Sequence, residues 1–177
     1  MRVRPLAVLM LVFFTLNLFA QQRPASERGT QRIQKEVRHE LVMLPYLSVF
    51  DNLEYRVDDS KVTLMGQVTN PITKTDAGKA VKSIEGVEHV ENQIEVLPPS
   101  PVDDRLRREL FRAIYGFGPL EKYNMGVILP IRIIVKNGRV TLEGVVDNQS
   151  DKDTAGIRAN GVAGIFSVTN NLRVANS

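Results

Sequence analysis

A stretch of 36 residues occurs twice in this chain. Residues 61–96 and 139–174 align without a gap, 78 positions apart, and share 13 identities. Lys61-Val62-Thr63-Leu64-Met65-Gly66-Gln67-Val68 returns as Arg139-Val140-Thr141-Leu142-Glu143-Gly144-Val145-Val146. The match continues through Asn70/Asn148, Lys74/Lys152, Ala77-Gly78/Ala155-Gly156, Gly86/Gly164, Val90/Val168, Asn92/Asn170 and Val96/Val174. Such an echo means one small module built twice. It moves the expectation from a single catalytic cleft towards a binding or scaffolding device.

The periodicity of each copy gives its element order. Ile33, Val37, Leu41 and Leu44 form a helical stripe that stops before Pro45. Leu53, Tyr55 and Val57 alternate with polar residues, Asp58-Asp59-Ser60 supplies a turn, and Val62, Leu64, Gly66 and Val68 complete a hairpin. Asn70-Pro71 opens a second helix over 72–84, Glu85-Gly86 closes it, and Val90, Ile94 and Val96 make a third strand. The second copy repeats this order, with Leu106, Leu110, Ala113 and Ile114 on its first helix and Asn137-Gly138 as its hairpin turn. The expected fold class is α+β: two tandem αββαβ domains, each a small three-stranded sheet with two helices on one face. The other face of the first sheet, carrying Glu54, Arg56, Thr63 and Gln67, is expected to be wet. Gly66 and Gly144 read as places where a helix approaches a strand closely, and Gly86 and Gly164 as helix caps.

The domain plan follows. Residues 1–20 read as a signal peptide: Arg2 and Arg4 precede a 14-residue uncharged run, Leu6 to Phe19, too short to span a bilayer, with cleavage after Ala20. Residues 21–30 are a polar lead-in, 31–97 the first domain, 98–101 a Pro-rich linker that should hold the copies apart, and 102–175 the second domain. Without the signal the chain carries 21 bases and 20 acids, which gives no argument for nucleic acid. The charge is uneven, at −3 over residues 31–97 and +3 over 102–175. The chain has no cysteine, which removes disulfides, thiolate metal sites, a cysteine nucleophile and a lipidated cysteine after the signal.

The ordered set of Val-Thr-Leu-x-Gly-x-Val, Ala77 or Ala155, and Gly-Val/Ile-x-x-Val-x-Asn-x-Ile/Leu-x-Val resembles the BON domain, a module of exported bacterial envelope proteins. The resemblance covers both copies. It implies binding to phospholipid or to envelope components without catalysis, as in osmotically inducible periplasmic proteins. Unlike the lipoprotein members, this chain lacks the lipid-bearing cysteine, and its second copy has a longer, aromatic connection.

No catalytic residues, metal ligands or cofactors are expected: His39 and His89 form no paired motif, and no phosphate-cradling Gly-Lys-Ser/Thr pattern occurs. The binding candidates lie in copy two. Arg105, Arg108 and Arg112 share one helix face, followed by Tyr115, Phe117 and Tyr123 on a glycine-containing connection. Cations beside aromatic rings suit an anionic phospholipid interface, whereas the duller alternative is a solvated helix face with rings capping the core. Residues 127–135 read as a strand that is apolar on both faces, so Ile134 and Val145 should point out of the open sheet face, to meet copy one or a partner. The expected protein is exported, peripheral to the membrane and non-enzymatic. It would bind anionic phospholipid or membrane-associated envelope components, or alternatively serve as a scaffolding or oligomer-building module.

Overall fold

The computed structural model of the protein describes residues 25–175. The first repeat comprises α1 (Ala25–Val42), β1 (Asn52–Asp58), β2 (Lys61–Val68), α2 (Pro71–Lys82), β3 (His89–Asn92) and β4 (Glu95–Val96). The second comprises α3 (Pro101–Tyr115), a 3-10 segment (Gly118–Asn124), β5 (Ile131–Lys136), β6 (Arg139–Val146), α4 (Gln149–Asn160), β7 (Ser167–Asn170) and β8 (Arg173–Val174). The fold is α+β in two repeated halves. The expected signal lies outside the described residues, and part of the expected lead-in is helical, since α1 already begins at Ala25.

In each half the central strand pairs antiparallel with the strand before it and parallel with the segment after the second helix. Alternation sets the faces. Val57, Val62, Leu64, Val68 and Ile94 meet Ile33, Val37 and Leu41 of α1 and Ala77 and Val81 of α2 in one core. The equivalent core of the second half is larger, because Tyr115, Leu120 and Tyr123 join it.

The expected third strand is two short strands in line. Asn92 makes the break: its Oδ1 accepts from the Ile94 N–H at 3.2 Å and its Nδ2 donates to the Lys74 carbonyl at 2.8 Å. Asn170 does the same with Leu172 and Lys152, at 3.3 and 2.7 Å. A Cβ on Gly78 or Gly156 would come within 2.9 or 2.8 Å of the corresponding amide nitrogen. The shared Asn and Gly are thus two halves of one helix-to-strand latch. Asn70 and Asn148 are the helix N-caps, accepting from Ile72 N and Asp151 N, both at 2.9 Å.

Two glycine expectations need correction. Gly66 and Gly144 have φ of +105° and +122°, and a Cβ would lie 2.1 Å from the Asn52 carbonyl oxygen or 1.9 Å from that of Pro130. The close neighbour is the backbone at the entry of the paired strand, not a helix, and the positive φ also excludes other residues. Gly86 and Gly164 lie in the turn to the parallel strand at φ +89° and +90°, whereas the helix C-caps are Ser83 and Gly161. Thr63, expected on a wet face, is buried between Arg56 on β1 and Glu91 on β3.

The two halves touch rather than being held apart by the prolines, and Pro101 already opens α3. The Ile133 N–H of edge strand β5 donates to the Val49 carbonyl at 2.9 Å, and Arg132 Nη1 donates to the Ser48 carbonyl at 3.0 Å. Phe50 stands edge-on to Phe111 of α3, with ring centres 6.5 Å apart. The turn that presents these groups is shaped by Asp51, which is fully buried. Its Oδ2 accepts from Ser48 N and Oγ at 2.8 and 2.7 Å, and its Oδ1 from Thr69 N and Oγ1 at 2.6 and 2.9 Å. Replacing Asp51 with Ala leaves these buried donors unmatched, so urea titration should show a loss of about 2–4 kcal/mol. Val49→Ala keeps the backbone bond and trims only a partly buried side chain packed against the second core, so it should cost less, about 1 kcal/mol.

Candidate functional site

The basic face of α3 exists, but not the aromatic fringe expected beside it. Arg105, Arg108 and Arg112 are exposed, with Arg105 paired to Glu109 at 3.1 Å. Arg107 turns inward instead, 4% exposed, donating to the Val135 carbonyl at 2.7 Å and to Asp104 at 2.5 Å. Tyr115 is 1% exposed, and its hydroxyl donates to the Ile131 carbonyl at 2.6 Å while accepting from the Ile131 N–H at 3.0 Å. Burial pushes the phenol pKa far up. Tyr123 is also buried, donating to Asp151 Oδ2 at 2.6 Å and accepting from Asp147 N at 2.8 Å. Phe117 is partly buried beneath the Arg158 guanidinium, 4.6 Å from its ring centre. The expectation that Tyr115 and Tyr123 anchor an interface is therefore corrected. A buried phenol needs a partner for its hydroxyl, and both found one in the strand and helix starts of their own domain.

Ile134 and Val145 part company. Ile134 is 5% exposed and lines a cleft of about 430 Å³ with Gln67, Glu95 and Leu97 of the first half, where Lys136 pairs with Glu95. Val145 stays exposed. The expected strand over 127–135 begins only at Ile131, and Val127-Ile128-Leu129 lie in the loop before it.

That loop forms the surface missed in the sequence. Val127 and Met125 are almost wholly exposed, Ile128 about half so, and exposed Met43 and Tyr46 lie just past the end of α1, with Met43 on the cleft wall opposite Val127 and Ile128. The two halves enclose an apolar cleft of about 430 Å³, lined by Val42, Met43 and Pro45 on one side and Val127, Ile128 and Leu129 on the other. A second cleft, of about 310 Å³, shares Val42, Leu47 and Arg132 with the first and adds Arg38, Asp51 and Arg173. Both are built between the repeats. Gly126 and Pro130 bracket the apolar run, and that punctuation is the signal that marks it as a loop.

Among the described residues no group of three His, Cys, Asp or Glu could hold a metal, and His39 and His89 are exposed. Asp151 is the most engaged carboxylate of the second half. Burial works against its ionisation, but bonds from Lys122 and Tyr123 outweigh that and hold its pKa below the ordinary 3.8. A depressed carboxyl contributes stability above its unfolded pKa and loses it as pH falls through the folded one. Asp151→Asn should thus destabilise at pH 7, and in urea titrations the gap from the parent should close only as pH falls below the ordinary carboxyl range. Tyr115→Phe strands the Ile131 N–H and should cost about 1–3 kcal/mol, with little change between pH 7 and pH 3.

Among the described residues no helix is long and apolar enough to cross a membrane. The family model of the BON domain matches residues 29–98 and 128–176. No curated protein matches the chain. Solved structures that resemble it include two of CdsD, a structural protein of the type III secretion system of Chlamydia trachomatis. One is 15% identical with a TM-score of 0.29, covering 82% of this chain and 94% of that one. The other is the C-terminal domain of CdsD, 15% identical with a TM-score of 0.29, covering 79% of this chain and 96% of that one. With both repeats matched by the family model, the chain belongs to the BON domain family.

Proposed function

We propose that this protein acts at the bacterial cell envelope as a non-enzymatic, peripheral attachment module that engages anionic phospholipid. In this reading residues 1–20 direct export and are removed after Ala20. The observation that carries it is the apolar loop pair, Met43 facing Val127 and Ile128 across one cleft, with exposed Tyr46 and Met125 on the same two segments, beside arginine-lined ground. Exposed apolar side chains clustered from two separate segments, rather than scattered singly, mark an interaction surface. Cations at its margin suit a phosphate-bearing interface. Burying two such side chains contributes on the order of 3–5 kcal/mol, enough for weak, reversible attachment. The Arg105, Arg108 and Arg112 face adds a screened, longer-range attraction rather than the anchor.

Co-sedimentation with vesicles tests this directly. The protein should pellet with phosphatidylglycerol-containing vesicles and much less with phosphatidylcholine alone. Val127→Asp with Ile128→Asp, both on an exposed loop, should reduce binding at least tenfold. Arg108→Glu with Arg112→Glu should reduce it a few-fold and flatten its salt dependence, because fewer charges take part. Indifference to anionic lipid, or to the loop variant, would sink the reading. The same apolar pair also fits an envelope scaffold, in which the chain assembles with itself or a protein partner. Light scattering separates the two: a stable oligomer that ignores vesicles favours the scaffold.

A further inference from the structure

We infer that the cleft of Arg38, Arg132 and Arg173 is a binding site for a phosphate group, either free or as a small phosphate ester. It adjoins the apolar cleft, with which it shares Val42, Leu47 and Arg132, and it is tested separately from the membrane reading. Three arginines from three elements, α1, β5 and β8, and from both halves of the chain line this one cleft. Among the described residues neither Arg38 nor Arg173 forms an ion pair or hydrogen bond with the protein. Arg132 is partly buried, yet it makes one hydrogen bond, to the Ser48 carbonyl. A guanidinium offers five N–H donors, so most of the cleft's donors await an acceptor.

The one carboxylate in the wall does not fill that role. Asp51 already accepts four hydrogen bonds from Ser48 and Thr69 and makes no ion pair with the arginines. It offsets one charge of the three through space and leaves the cleft net positive. Burial pulls the Arg132 pKa below its usual range, with Tyr115 and Asp51 only partly countering it. An anion in the cleft would favour the charged form again.

Charge and size narrow the class. Guanidiniums bind carboxylate and phosphate alike, in forked pairs. Three of them against the single carboxylate of Asp51 suit a doubly charged tetrahedral oxyanion better than a singly charged carboxylate. At about 310 Å³ the cleft is at the small end for a ligand site, with room for phosphate bearing a glycerol-sized substituent. Because the walls come from both repeats, a bound phosphate would also tie the halves together.

Calorimetric titration of the intact mature chain with inorganic phosphate and with glycerol 3-phosphate tests the site, with acetate as the planar control. Saturable binding should appear for the phosphates and be at least tenfold weaker for acetate. Arg38→Gln and Arg173→Gln, both exposed and free of structural bonds, should each weaken phosphate binding about tenfold while leaving the unliganded melting temperature unchanged. Phosphate should raise the melting temperature of the parent but not of the double variant. Absence of saturable phosphate binding, or binding that survives both substitutions, overturns the inference. Glycerol 3-phosphate competing with phosphatidylglycerol vesicles would identify a lipid headgroup as the source. Binding without competition would point to a soluble phosphate. If vesicles bind through Val127 and Ile128 while no phosphate binds, the cleft inference fails and the membrane reading stands.

Discussion

The carboxylate of Asp51 is the point on which the two halves depend. It is sealed from solvent and satisfied by four donors, two from Ser48 and two from Thr69. Those bonds tie the turn before β1 to the end of β2, and so fix where the carbonyls of Ser48 and Val49 point. These carbonyls meet Arg132 and the Ile133 N–H, covering part of the free edge that β5 would otherwise present. Two of the clefts between the repeats, the apolar one and the one lined by arginines, share this turn as a wall. A carboxylate can hold this role because backbone and hydroxyl donors replace water at every oxygen; a buried charge short of partners would unfold the turn.

The contact between halves is set by these short-range groups and not by the opposite charges of the repeats. Long-range attraction between −3 and +3 surfaces is largely screened beyond about 8–10 Å. The ion pair that crosses the boundary, Lys136 with Glu95, is half exposed, and such pairs contribute about 0–1 kcal/mol. One backbone hydrogen bond and the Phe50–Phe111 edge contact contribute about as much each, and they add apolar burial that salt cannot screen. Charge can bring the halves together, but packing decides the orientation.

Most of the fold was legible because the repeat and the period-2 alternation agree. Nearly every repeated polar or glycine position serves the backbone, through the caps Asn70 and Asn148, the latch of Asn92 with Gly78, and the turn glycines Gly86 and Gly164. The latch itself was hidden, because an Asn inside an apolar strand pattern does not announce which carbonyl it will reach. Burial of Tyr115 and Tyr123 was hidden for the same reason. A phenol reads as amphipathic until the partner of its hydroxyl is known, and those partners lie 16 and 28 residues away in sequence. Arg107 followed its helix face inward past Arg105 and Arg108, which no composition argument could separate. The apolar run 127–135 misled because continuous hydrophobicity carries no period, and Pro130 divides a loop from a strand there.

What differs between the repeats has gathered at their boundary. The turn 45–51 and the loop 125–130 have no echo in the other copy, lie outside the repeated stretch, and together line the apolar cleft. The arginines of the smaller cleft diverge in the same way, as Glu95 opposite Arg173 shows. Neither half alone contains a complete cleft: the first supplies Arg38 and Met43, the second Arg132, Arg173 and Val127. Duplication therefore supplied two stable cores, and divergence used the seam between them. A surface composed this way is sensitive to the angle between the halves, so the clasp at Val49 and Ile133 bears on its shape. The backbone bond that closes a sheet edge therefore also bears on where Arg38 of the first half sits relative to Arg132 and Arg173 of the second.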